Sequence, residues 1–168
     1  MTGADKKLAD TQAQIPAAQT YHTFCEALDD LGWKYERLDE DLMIRCAASG
    51  KDLPMELLIY VRKDPKTFGI YSPLPFKIAE NKVIDIAVAL SMVNNRLVHG
   101  CFDYDWNYGE IKFRIQEFYE GMIVSGEVCK YLVACASQTI DRYNDMFLAI
   151  NEGMMSIAQF AEQMNSKE

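Results

Sequence analysis

Cys101-Phe102-Asp103-Tyr104-Asp105-Trp106-Asn107-Tyr108-Gly109-Glu110-Ile111-Lys112-Phe113-Arg114-Ile115 alternates apolar and charged side chains on either side of an Asn107-Tyr108-Gly109 turn. A period of two sends successive side chains to opposite faces of a strand. Phe102, Tyr104 and Trp106 therefore share a face with Ile111, Phe113 and Ile115, and Asp103 and Asp105 share the other with Lys112 and Arg114. Apolar pairs and opposite-charge pairs agree on one register, which a slip of one residue would destroy. The stretch is an antiparallel hairpin, and the rest of the chain has to be arranged around a sheet.

Upstream, Gly100 closes a helix over about residues 80–98, with Val83, Ile86, Ala87, Leu90, Val93 and Leu97 on one face. Before it, Thr67–Ser72 forms a short strand that Pro73 and Pro75 stop. Met55–Val61 is almost continuously apolar, as expected of a central strand covered on both faces. Trp33–Leu38 and Leu42–Ala48 make a hairpin around Asp39-Glu40-Asp41. A first helix carries Tyr21, Phe24, Cys25, Leu28 and Leu31 and stops at Gly32. Downstream, Ser125 caps a long helix striped by Val128, Leu132, Cys135, Thr139, Tyr143, Met146, Phe147 and Ile150. Ser156 leads a last amphipathic segment with Ile157, Phe160, Ala161 and Met164. The expectation is an α+β fold, an antiparallel sheet of five to six strands with helices packed on it, in the order α-β-β-β-β-α-β-β-α. Residues 1–16 are expected to be a flexible leader, 17–153 a single domain, and 154–168 a short C-terminal helix and polar tail.

The 168 residues suffice for one self-sufficient core. A net charge of −8 repels polyanions, so nucleic acid is not an expected partner. No segment has the length and apolarity of a membrane span or an export signal. Cys25, Cys46, Cys101, Cys129 and Cys135 are odd in number, contain no CxxC and sit among apolar neighbours, which indicates reduced thiols in a cytoplasmic protein.

The chemistry-bearing motifs are few. GxSxG, a phosphate-binding Gly-rich loop and GxGxxG are all missing. His99 and Cys101 are a close pair at a helix-to-strand junction, without the further ligands a zinc site needs. Asp103, Asp105 and Asn107 imitate the start of a calcium loop, but the sixth position is Tyr108 where glycine is required and the twelfth is Arg114 where glutamate is required. They read first as the hydrated face of the hairpin and second as weak metal candidates. No catalytic or cofactor-binding residue is assigned.

Asn95-Arg96-Leu97, Gly100 to Asp105 and Gly109 to Arg114 form a pattern that resembles the YbjN-like family, proposed bacterial sensory-transduction regulators. Thr139 to Tyr143, Asn151-Glu152-Gly153, and Phe24, Leu28, Gly32, Trp33 and Tyr35 extend the resemblance over most of residues 20–153. It implies a type III secretion chaperone-like fold, usually a homodimer, with no catalytic residues to carry over; the Ser156–Met164 segment lies outside it.

The resulting expectation is a non-enzymatic, cytoplasmic, homodimeric protein-binding domain, a chaperone or regulatory adaptor without a cofactor. The alternative is a small-ligand or divalent-ion binding domain, enzymatic or not, centred on the Asp103-Asp105 hairpin. Tyr60 on the central strand and Phe160 and Met164 on the last helix are the candidate protein-contact residues, the last two being equally suited to packing on the domain. Counting apolar faces leaves one sheet face or helix flank uncovered, so charge at Tyr60 or on the outer side of the second helix should weaken a dimer.

Overall fold

The computed structural model describes the backbone of residues 3–122 and 124–166, with side chains from Pro16 onward. Four helices, α1 (Gly3–Asp30), α2 (Val83–Asn94), α3 (Gly126–Asn151) and α4 (Ile157–Asn165), accompany six strands. These are β1 (Tyr35–Leu38), β2 (Met43–Ser49), β3 (Pro54–Arg62), β4 (Thr67–Lys77), β5 (Cys101–Asp105) and β6 (Glu110–Phe118). The sheet is antiparallel throughout in the order β1-β2-β3-β4-β6-β5, so α2 bridges from β4 to the edge strand β5. Fold class and element order are those the sequence indicated.

Helix α1 begins well before Pro16, where the sequence reading placed a flexible leader. The stretch is rich in Ala, Lys and Gln, all good helix formers, and needs no apolar stripe to be helical. Its C-terminus follows from Gly32, whose φ of +69° lets Trp33 N–H donate to the Leu28 carbonyl at 2.9 Å and Gly32 N–H to Asp29 at 3.0 Å. Strand β4 runs through Pro73 and Pro75 instead of stopping, with a register shift against β6 between Pro73 and Lys77. Its pairing with β3 ends at Tyr71, so the prolines fall where one side of the strand has no ladder bond to lose.

The helices cover one face of the sheet only. Ile44, Leu57, Ile59, Ile70, Phe113 and Ile115 are buried there against Phe24 and Leu28 of α1 and Ile140 and Phe147 of α3. The expectation that β3 is covered on both faces fails, because Glu56 is exposed and Leu58 and Tyr60 are only half-buried. Helix α3 buries Leu132, Tyr143, Met146, Phe147 and Ile150 of the expected stripe, but its N-terminal half is shifted: Cys129, Val133, Ala136 and Ile140 are buried, and Val128 is outside. Ser125 Oγ accepts from Val128 N–H as a cap should, and Ser156 with Gln159 forms a complete capping box at α4.

Two asparagines fasten helix ends to the sheet. Asn94 accepts from Phe102 N–H at 2.8 Å and donates to the Phe102 carbonyl at 2.9 Å. Asn151 likewise accepts from Ala79 N–H and donates to the Lys77 carbonyl. The first clamp occupies main-chain groups of the edge strand β5 that an incoming strand would need.

Candidate functional site

The hairpin carboxylates are directed to cations. Asp103 Oδ2 accepts from Arg114 Nε, and Asp105 Oδ2 accepts from Lys112 Nζ at 2.7 Å, so the pairs are diagonal although Asp103 lies opposite Lys112 in the register. The Lys112 hydrogen bond holds the Asp105 carboxyl below its ordinary range. Asn107 contributes its backbone N–H to Asp105 Oδ1. Among the described residues no cluster of three or more His, Cys, Asp or Glu could hold a metal ion. Trp106, expected on the buried face with Phe102, lies beyond the end of β5 and is 77% exposed.

Phe160 and Met164 are core residues. Phe160 is fully buried, stacked on Phe147 with ring centroids 6.2 Å apart, and Met164 is 4% exposed. Enclosed this way they offer no surface to a partner, which corrects their candidacy as contact residues. The apolar face of α4 packs against α2 and, through Phe147, against α3.

Tyr60 sits on the open sheet face. Its ring lies across Gly69, where an added Cβ would come within 2.6 Å of the hydroxyl, and that hydroxyl donates to Gln116 Oε1 at 3.4 Å. The Arg62 guanidinium stands 4.9 Å above the ring. With Met43, Leu58 and Tyr71 it floors a shallow groove of about 520 Å³ walled by Arg62, Lys112 and Arg114.

An uncovered apolar surface lies on α2. Its sequence, Val-Ile-Asp-Ile-Ala-Val-Ala-Leu-Ser-Met-Val-Asn, is apolar around nearly the whole circumference. Ile86, Ala89, Leu90 and Val93 are buried, but Ile84 is 75% exposed and Ala87 and Val88 are also exposed. Ile84 borders a groove of about 750 Å³ shared with Trp106 and Tyr108 from the hairpin tip. Ile84 and the hairpin tip thus border one groove, together with Lys77 and Glu80. The sequence reading left either a sheet face or a helix flank uncovered, with Tyr60 and the outer side of this helix as the two places to test; it put Trp106 on the buried face and so missed its part in this groove.

The architecture defines a class: an α+β domain of the type III secretion chaperone-like kind, with helices on one face of an antiparallel sheet. Two solved structures exemplify it. The crystal structure of YbjN, a proposed transcription regulator from E. coli, aligns with a TM-score of 0.55 at 16% identity, covering 76% of this chain and 89% of that one. A chain of the ExsC-ExsE complex aligns with a TM-score of 0.53 at 10% identity, covering 78% and 95%. The likeness is one of fold. No protein-family model and no curated protein matches the sequence. No helix among the described residues is long and apolar enough to cross a membrane.

Proposed function

We propose that this chain is a non-enzymatic protein-binding adaptor that works as a homodimer, two copies pairing through α2. The observation that carries the reading is the mismatch on that helix: apolar around nearly its whole circumference, Asp85, Ser91 and Asn94 apart, yet covered on one side. A helix of this composition belongs in an interior, and a second copy supplies one. Twelve residues span about 18 Å at 1.5 Å each, short for a stable interface alone, so Trp106 and Tyr108 at the hairpin tip extend the contact. The open sheet face with Tyr60 then remains for a protein partner. The complex named among the similar folds supports a protein partner, and five free thiols suit a reducing compartment such as the cytoplasm.

The ion-binding alternative draws no support from the hairpin, whose carboxylates are engaged by Arg114 and Lys112. Val88→Glu and Tyr60→Glu separate the two candidate dimer surfaces by light scattering across a dilution series. The proposal expects Val88→Glu to weaken self-association at least about tenfold, since a carboxylate buried at an apolar contact is strongly unfavourable, and Tyr60→Glu to leave it unchanged. The opposite pattern would place the interface on the sheet.

A further inference from the structure

Asn95-Arg96-Leu97 and Thr139 to Tyr143, two of the stretches that carry the sequence resemblance, meet in the fold. Between the end of α2, the middle of α3 and the end of α4 they border a cleft of about 470 Å³. Its charge has one sign. Arg96 and Arg142 line it, and no Asp or Glu does so among the described residues, on a chain of net charge −8.

The two arginines are held in different ways. Arg96 Nη2 donates to Asn165 Oδ1 at 2.8 Å and Nη1 to the Met164 carbonyl, so this side chain fastens the end of α4 and brings positive charge to the cleft. The Arg142 guanidinium stands 5.6 Å from the centroid of the Tyr143 ring and makes no ion pair or hydrogen bond with any described residue. A ring beneath a guanidinium steadies it without using its N–H donors, and that fork matches a carboxylate. Gln138 and Thr139, one and two turns of sequence away on the same lining, add further hydrogen-bonding groups. The floor is apolar: Tyr143, Met146 and Met164 are at most 5% exposed, and Leu97 is half-buried. A volume of this size, mostly apolar below with a few polar groups at one side, suits a small molecule. An inorganic anion would leave the floor unused, and a neutral apolar molecule would desolvate Arg142 without a partner.

We propose that this cleft binds a small apolar carboxylate, its head group on the Arg142 fork and its body on Tyr143, Met146 and Met164. The inference depends neither on the dimer nor on the protein-binding reading. The probes are 2-naphthoate and 2-naphthamide, alike in size and different in charge, titrated into the isotope-labelled full chain and followed by amide chemical shifts. Naphthoate should give saturable shifts at Leu97, Thr139 and Tyr143 and bind at least about tenfold more tightly than the amide, the margin of a charge-assisted hydrogen bond. Inorganic phosphate should bind more weakly than naphthoate. Arg142→Gln should cost naphthoate at least about tenfold and leave the amide unaffected. Gln138→Glu, which brings a carboxylate to the cleft, should do the same; both side chains are exposed, so neither change burdens the core. Absence of saturable shifts at those three residues, equal binding of naphthoate and its amide, phosphate bound as tightly as naphthoate, or naphthoate affinity unchanged in either variant would overturn the proposal.

Discussion

Cys46 and Cys129 are fully enclosed, and burial pushes both thiols up to about 12, far from the thiolate form that reacts. Cys25 is buried too, whereas Cys101 and Cys135 are half-exposed. A thiol reagent at pH 8 should therefore label Cys101 and Cys135 first in the native protein and all five thiols after unfolding. Rapid native labelling of Cys46, or fewer than five free thiols in the unfolded chain, would contradict this packing. Asp105 carries a second residue-scale prediction. Its carboxyl is held below the ordinary range by Lys112, so in acid the folded chain binds fewer protons than the unfolded one. The stabilisation is complete above the unfolded carboxylate value of about 3.9 and is lost as pH falls towards the lower folded value. Lys112→Met should therefore flatten the acid limb of a plot of melting temperature against pH. An unchanged limb would mean that the pair contributes nothing.

At the scale of elements, the clamp from α2 to β5 is the most exposed to test. Asn94→Ala leaves the N–H and carbonyl of Phe102, a residue buried at the sheet edge, without their partner. An unsatisfied buried polar group costs about 1–3 kcal/mol, so chemical denaturation should show a loss of about 2 kcal/mol. A loss under about 0.5 kcal/mol would show that solvent reaches this edge, making it available for strand addition. The same element shows what a sequence can disclose. Alternation in the β5–β6 hairpin is a local property with a period of two, and the structure keeps its register: Phe102 opposite Phe113 and Asp103 opposite Lys112. The phase of α3 is not local, because Val128 and Cys129 are both apolar and only the sheet beneath decides which faces inward. Pro73 and Pro75 read as a strand end because single-sided pairing cannot be seen in one chain segment. Side-chain clamps such as Asn94 on Phe102 join positions whose meeting depends on the crossover. Val128 reads as core in the stripe of α3; its convergence with Phe118, Met122 and Tyr131 at one groove appears only in three dimensions.

For the whole molecule, one sheet face carries the helices and the other carries Tyr60 among cations, and the apolar excess is gathered on α2 with the hairpin tip and in the β6–α3 groove. Assignment of α2 to a second copy follows from its apolar residues: Ile84, Ala87 and Val88 are exposed together, and Asp85 beside them is paired with Lys82. A symmetric pairing also buries Ile84 and Val88 twice, once on each copy, which is why a modest helix suffices with the tip beside it. Self-association through α2 is the central claim, and the mass of the wild-type chain in solution tests it most directly. Light scattering at micromolar concentration should give twice the 19.2 kDa chain mass; a monodisperse species of 19.2 kDa would contradict the account.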